Sequence, residues 1–513
     1  MSTAPVFNSN PFHALYSRSL GITRFWSLMG IITLVKGVYV YYGPDLFTEE
    51  AQYWLWSRHL DWAYYSKPPL IAYVNSLSSG LFGISAPVVR LNAVLCGLGI
   101  SYFVFRLGVE HFRSHRVAVL GVVLLNVSPF FVTATLFFTT DSLLMLAWAG
   151  ALRYFLRYVD TGQPGDGWRT AAFVVFGMLA KPTMVLFGFV VLAGSGRNFA
   201  LISRRLLAFG IPVLVGLLPS LIWNYQHDWV TFRHIFTLAG GSGSSLLHRN
   251  ALGQLLEFVG GQLAYGSIFI VVGLLLARPW KLPTVDHARL LPLWLAPALI
   301  LAGFAVLSVH KRVEVNWPSA TLVAWPLVVS YLLHLRYRRW SETPRVAWPV
   351  GLSVATLLLI LQPGWLDAVA GRPVLPVKAD PLYRLAGWRQ IGQTVDDFVK
   401  DLPPGHFAIV SDSYHTASEL AFYVGGHPDT YCLPNANRRM NQFDFWPAPP
   451  ASQRQNIVYV SEDPLSPEAR AQLGPVLRQE VWPVYYRNVR VRTMYLYHAR
   501  GYRPKAVKKP VMY

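Results

Sequence analysis

The chain has 513 residues, 53% of them hydrophobic and 14% charged, with a formal net charge of +19. Soluble domains carry roughly 25% charged residues, so this composition excludes an ordinary water-soluble enzyme. The surplus of Arg and Lys falls mostly in short segments between apolar runs, where it orients a membrane protein, and nucleic acid is not expected as a partner.

Apolar runs lie at about 24–42, 87–107, 117–135, 141–159, 169–180, 182–196, 206–223, 252–277, 290–309, 318–335 and 346–364. A span needs about 20 apolar residues. The runs at 169–180 and 182–196 are short and read as a broken pair or one tilted helix. The expected fold is an α-helical polytopic membrane bundle of about 11–13 transmembrane helices. Residues 1–366 form this domain, with an outer-face loop at 43–86, and residues 367–513 form a soluble α/β domain. Residues 1–23 lack the apolar core of a cleavable signal peptide. If every run spans, basic clusters such as Arg106–Arg116 and Arg153–Arg169 share one side with the N-terminus, and that side is the cytoplasm. The other side receives 43–86, the start of the run at 141, the break at Lys181, 224–251, 310–317 and everything after 365.

Residues 48–59 read as an amphipathic helix lying in the membrane interface, followed by the Lys67-Pro68-Pro69 break and a second apolar stretch at 68–82. In the C-terminal domain, His406–Val410 and Asn456–Val460 read as buried strands. Thr416–Val424 reads as a helix and Val489–Tyr497 as an alternating strand. Gly240–Ser245 forms a Gly/Ser loop, and Lys505–Lys509 a basic tail. Cys96 and Cys432 fall in different environments and are not expected to pair.

Four polar clusters carry the candidate chemistry. Asp45, Glu49 and Glu50 are carboxylates beside aromatics; they suit a general base or a cation site, or simply complement a helix dipole. Lys67 and Tyr65, in Tyr64-Tyr65-Ser66-Lys67-Pro68-Pro69, suit a phosphate at headgroup level, or a lysine snorkelling to the interface. Asp141 opens a helix after Thr139-Thr140 and either caps it or faces the same cavity as Glu49. Lys181 at the Lys181-Pro182 break offers a second cation there, although a snorkelling lysine is the plainer reading. The loops Asn224–His234 and 310–318 mix cations, histidines and tryptophan. They contribute Arg233, His234, Arg312, Glu314 and Asn316, against the plainer reading of interfacial anchors. The spacing of His227, Asp228 and His234 matches no strong metal pattern. Neither a Walker motif nor a dinucleotide fingerprint is present, and no protease signature is found.

The run "FTEEAQYWLWSRHLDWAYYSKPPL", then "FFTTDSLLM", then "GMLAKPTMVL", resembles the GT-C glycosyltransferases that use polyprenyl-phosphate sugars. These include the aminoarabinose lipid A transferases and the protein O-mannosyltransferases. The resemblance covers roughly 25–335 and extends to "SELAFYVGGHP" and "NQFDFW". It implies inverting transfer of a sugar from a polyprenyl-phosphate donor to a lipid, glycan or protein acceptor, on the periplasmic face of the bacterial inner membrane. The family's paired acid is matched by Glu49-Glu50, its second acid by Asp141, and its donor-phosphate lysine by Lys67, joined by Tyr65, Arg233 and Arg312. Asp45, Tyr53, Lys181, Glu314 and Asn316 are expected around the substrates. Ser66 stands where the aminoarabinose enzymes have a metal-linked Glu, so a divalent metal is left open, with His234 the residue named for it. The alternatives are a transporter or lipid flippase, which places its ionisable groups near the midplane and shows repeats, and an envelope assembly scaffold.

Overall fold

The computed structural model describes residues 11–196, 199–238, 251–266, 284–336, 344–362, 364–371, 374, 376–377, 380, 382–435 and 438–502. The Gly240–Ser245 loop and the Lys505–Lys509 tail lie outside them. The apolar runs fold into helices: α1 (Pro11–Tyr42), α2 (Thr48–Ser57), α3 (Leu70–Phe82), α4 (Ala86–His111), α5 (His115–Asn126), α6 (Pro129–Leu136), α7 (Thr140–Thr161) and α8 (Pro164–Ala180). A 3-10 turn (Pro182–Phe187) leads to α9 (Gly188–Gly194), α10 (Phe199–Gln226), α11 (Val230–Leu238), α12 (Ala251–Tyr265) and α13 (Thr284–His310). A second 3-10 turn (Ser319–Ala324) precedes α14 (Trp325–Arg336), α15 (Pro344–Leu361) and α16 (Gly364–Ala370).

Among the described residues, four helices are long and apolar enough to cross a membrane: Gly21–Tyr42, Ala86–His111, Ala200–Gln226 and Leu290–His310. A fifth crossing arises if α5 and α6, bent by 71°, act as one. This is fewer single spans than the expected 11–13; the runs at 252–277 and 346–364 lie partly outside the described residues, and elsewhere two physical features interrupt the runs. The prolines at 182 and 318 each stand at the entry to a 3-10 turn that breaks a run, and α7 has the length but carries Arg153 and Arg157 within it. The outward faces fit lipid: Leu34, Leu207, Leu214 and Val306 are all exposed, and only an apolar solvent accepts such a surface without cost. The chain is a multi-pass membrane protein. Small residues let the helices approach closely; a Cβ on Gly108 of α4 would collide with the Ala118 backbone of α5.

The C-terminal part opens with α17 (Trp388–Val399) and carries a five-stranded sheet: β1 (Phe407–Ser411), β2 (Thr430–Cys432), β3 (Asn456–Ser461), β4 (Val476–Tyr486) and β5 (Val489–Arg500). The strand order is β2-β1-β3-β5-β4. β2, β1 and β3 run parallel, and the β4–β5 hairpin joins β3 antiparallel. The near-continuously buried strands β1 and β3 match the two apolar runs anticipated there. The sequence reading missed β4, which contains Pro483, and the three-residue β2.

Helix α18 (Tyr414–Tyr423) crosses from the sheet to the bundle and packs on α2. Its Ala417, Ala421 and Phe422 share the main core with the membrane helices. This corrects the expected position of α2. From Glu50 to Ser57 the helix is buried, wedged under α18 rather than lying in the interface. Trp54 meets Phe422 edge-on at 4.9 Å, and the Leu46 amide donates to the Tyr423 hydroxyl at 2.6 Å. The tryptophans that suggested an interfacial helix instead fill a core shared by the bundle and α18.

Candidate active site

The site forms where α2, the Tyr64–Pro69 turn, the start of α7, the α8 break, the 311–317 loop and α18 meet. Glu49 and Glu50 adjoin in sequence but separate in role, because neighbours on a helix point about 100° apart. Glu50 is fully buried. Its carboxylate takes the Arg90 guanidinium at 2.9 Å, the Phe47 amide at 2.9 Å and the Phe138 amide at 2.8 Å. Arg90 also donates to the carbonyls of Pro44 and Asp45, each at 2.7 Å. Glu50 therefore caps α2, braces the loop before it and fixes the strand-like entry to α7. With its oxygens so engaged it is a framework residue, which corrects the expectation that it shares the catalytic role.

Glu49 points the other way. Its side chain has solvent access yet lies deep among protein atoms, and together these place it in a cleft. Burial raises its pKa, with Lys67 opposing and Asp141 reinforcing the shift. Lys67 is half-buried, and burial followed by the nearby Lys181 lowers its pKa, against the pull of Glu49 and Asp141. Asp141 is held from two sides: Lys181 Nζ donates to Oδ1 at 2.7 Å, and Asn316 Nδ2 to Oδ2 at 2.8 Å. Thr139 caps the helix there, its side chain accepting from the Asp141 amide. Lys181 is buried and paired, rather than snorkelling. Glu314 is near enough to raise Glu49 further. Tyr53 is buried with its ring close to Glu49 and Asp141.

Beside this cluster, the Tyr65 amide donates to Gln442 Oε1 at 2.7 Å, and its hydroxyl meets His234 Nδ1 at 3.2 Å. Three expected contributors stand apart. Asp45 accepts from the Arg389 amide at 3.1 Å and pairs with its guanidinium at 3.6 Å, so it ties the bundle to α17. Arg312 pairs with Glu257 of α12 at 2.8 Å, with both side chains largely exposed. Arg233 is exposed on α11 beside the buried His234. Among the described residues, no three His, Cys, Asp or Glu side chains converge as a metal set.

Sequence reasoning missed Arg90, Tyr414 and Gln442. An arginine inside an apolar run was the available signal for Arg90, since such a charge must find a partner. Tyr414 starts α18 and faces Glu49, which adds to the burial that raises its hydroxyl pKa. No local pattern could announce it or Gln442, because both reach the site only through tertiary docking.

A family model described as dolichyl-phosphate-mannose-protein mannosyltransferase matches residues 66–224. The lipid A galacturonosyltransferase RgtD of Rhizobium johnstonii is 27% identical over 325 residues, covering 62% of this chain and 66% of that protein. The match thus spans just under two thirds of the relative's length. The crystal structure of ArnT from Cupriavidus metallidurans in the apo state shares the fold at a TM-score of 0.59 and 17% identity, covering 94% of this chain and 98% of that one. The chain thus resembles glycosyltransferases in sequence and shares the ArnT fold. The ArnT structure bound to undecaprenyl phosphate also shares this fold, at a TM-score of 0.57 and 16% identity over 93% of this chain and 97% of that one.

Proposed function

We propose that this protein is a GT-C glycosyltransferase that takes a sugar from a polyprenyl-phosphate carrier and moves it, with inversion, to a lipid-linked acceptor such as lipid A. It does so at the periplasmic face of the bacterial inner membrane. The observation that carries this reading is the meeting of Glu49, Lys67 and the Lys181–Asp141 pair in one cleft under α18. The names of the relatives support it: RgtD acts on lipid A, and ArnT binds undecaprenyl phosphate. The cytoplasmic end of the bundle is then the Arg106–Glu110–Arg153–Arg157 cluster, 16 residues and ~24 Å along α4 from Arg90. The chain divides near residue 366, and the sheet-bearing domain lies on the periplasmic side.

Ionised Glu49 accepts the proton of an acceptor hydroxyl. The freed oxygen attacks the anomeric carbon from the side opposite the phosphate, a new C–O bond forms, and the bond to the phosphate oxygen breaks. The departing polyprenyl phosphate gains charge, which Lys67 stabilises from its half-buried position. Asp141, fixed by Lys181 and Asn316, orients the sugar or acceptor, and Tyr53, Glu314 and Tyr65 line the surroundings.

The test is transfer of radiolabel by the purified enzyme from polyprenyl-phosphate sugars to lipid A, starting with galacturonic acid. The expected result is a labelled lipid product that the Lys67→Ala variant does not make. Donor hydrolysed or bound, with no acceptor labelled across a lipid and glycan panel, would overturn the acceptor assignment. Absence of donor binding across the sugar panel would overturn the whole reading.

A further inference from the structure

Away from the reacting cluster, a cleft of about 420 Å³ opens between the loop after α2 and the C-terminal domain. We propose that it is a binding subsite for a neutral sugar unit of the acceptor glycan. Its volume falls in the ~300–1,000 Å³ range of small-ligand sites. His59, Asp429, Tyr431, Asn435, Asp444 and Trp446 are among its walls.

The chemistry of these walls selects the ligand. Trp446 is half-buried and clamped between His59 at 4.7 Å and Phe443 at 5.2 Å, which fixes an aromatic ring in the cleft wall. Asp429 Oδ1 takes both Arg58 at 3.1 Å and His59 at 3.9 Å. Its Oδ2 has no partner among the described residues and keeps its acceptor capacity. Asp444 is gripped by both terminal nitrogens of Arg438, at 2.6 and 2.8 Å. Each carboxylate is therefore matched by its own guanidinium, and the cleft offers directed acceptors without a surplus charge.

A phosphate would find both guanidiniums already occupied. A lipid tail would set the carboxylates and the Tyr431 hydroxyl, which bonds Gln453 at 3.3 Å, against hydrocarbon, which can answer none of their remaining lone pairs. A pyranose ring has an apolar C–H face for the tryptophan and an edge of hydroxyls for the acceptors. The wall also communicates with the transferase centre. The segment that ends in Trp446 contains Gln442, which holds the Tyr65 amide, two residues before Lys67. A sugar seated in the cleft thus rests on the segment that braces the donor-phosphate loop.

The acceptor role rests on the transferase reading; sugar binding does not, and the experiment separates them. Saturation-transfer NMR on the full-length enzyme in nanodiscs would use a panel of neutral disaccharides, including N,N′-diacetylchitobiose, with inorganic phosphate as competitor. The expected result is binding that phosphate does not displace, weakened at least tenfold in Trp446→Ala and largely kept in Trp446→Phe, with unchanged unfolding temperatures. In the transfer assay, Trp446→Ala should raise the KM for acceptor about tenfold and leave the KM for donor unmoved. No disaccharide bound by the wild type, or equal binding by Trp446→Ala, overturns the site. Lost sugar binding with an unmoved acceptor KM overturns its acceptor role. Sugar binding intact in a protein that uses no lipid-phosphate donor supports the cleft and defeats the transferase reading instead.

Discussion

At the scale of single residues, two adjacent glutamates do different work because one turns into the protein and the other into a cleft. Glu49→Gln should lower turnover about 10²–10⁴-fold, the range for losing a general base, with expression and unfolding temperature retained. Glu50→Gln should act on stability. It leaves Arg90 buried without its counter-charge, a change that costs about 3–5 kcal/mol, visible as a lower unfolding midpoint in detergent. If Glu49→Gln instead unfolded the protein while Glu50→Gln kept its midpoint, the assignment of roles would be reversed.

The pH dependence follows from the cleft. Burial raises the Glu49 pKa, so the ionised base is lost as pH falls through a value above the usual carboxylate range. Burial lowers the Lys67 pKa, so its cation is lost as pH rises through a value below the usual lysine range. A profile of kcat/KM, which reports the free enzyme, should be bell-shaped between those limits. Glu49→Gln should remove the acid limb from its residual rate. Glu49, Lys67 and Asp141 were legible in the sequence because ionisable groups at the ends of apolar runs are costly to keep there. Which of two neighbouring acids faces the cleft was not legible, because that depends on the rotation of α2 against Arg90 and Phe138.

At the scale of elements, the bundle was legible from its apolar runs, and the strands β1 and β3 from their continuous burial. The position of α2 was not. Tryptophans on a short helix read the same whether they face headgroups or a second domain. The α2–α18 contact also encloses Glu419, which is fully buried. Burial pushes its pKa well above the ordinary carboxylate range, only partly offset by Thr48. A raised folded-state pKa gives stability that is present at low pH and lost as pH climbs from the unfolded value through the folded one. The wild type should thus lose stability on the alkaline side, and Glu419→Gln should flatten that loss. Parallel midpoint-versus-pH curves for the two proteins would refute this account of Glu419.

At the scale of the whole molecule, the C-terminal part is a structural half of the proposed active site. It supplies Tyr414 against Glu49 and Gln442 against Tyr65. It is pinned at its far edge, where Arg487, in the turn between β4 and β5, pairs with Asp367 and with Asp380 at 3.1 Å. Removal of residues 371–513 should therefore abolish transfer and expose the Trp54 face of α2, seen as aggregation in detergent. A truncated chain that inserts, stays monodisperse and transfers to the same acceptors would contradict this. None of these partnerships was legible in the sequence, since each joins residues more than 100 positions apart.

The wedging of α2 beneath α18 has a consequence for how the enzyme is made. The residues that bury Trp54 are synthesised about 360 positions after it, a delay of tens of seconds at bacterial elongation rates of about 5–20 residues per second. Through that interval the inserted bundle has Lys67 but lacks the α18 cover and the Gln442 brace. On this reading the site is complete only once residue 442 has been made, and a ribosome stalled before residue 414 leaves behind an inserted chain with no cover over Glu49.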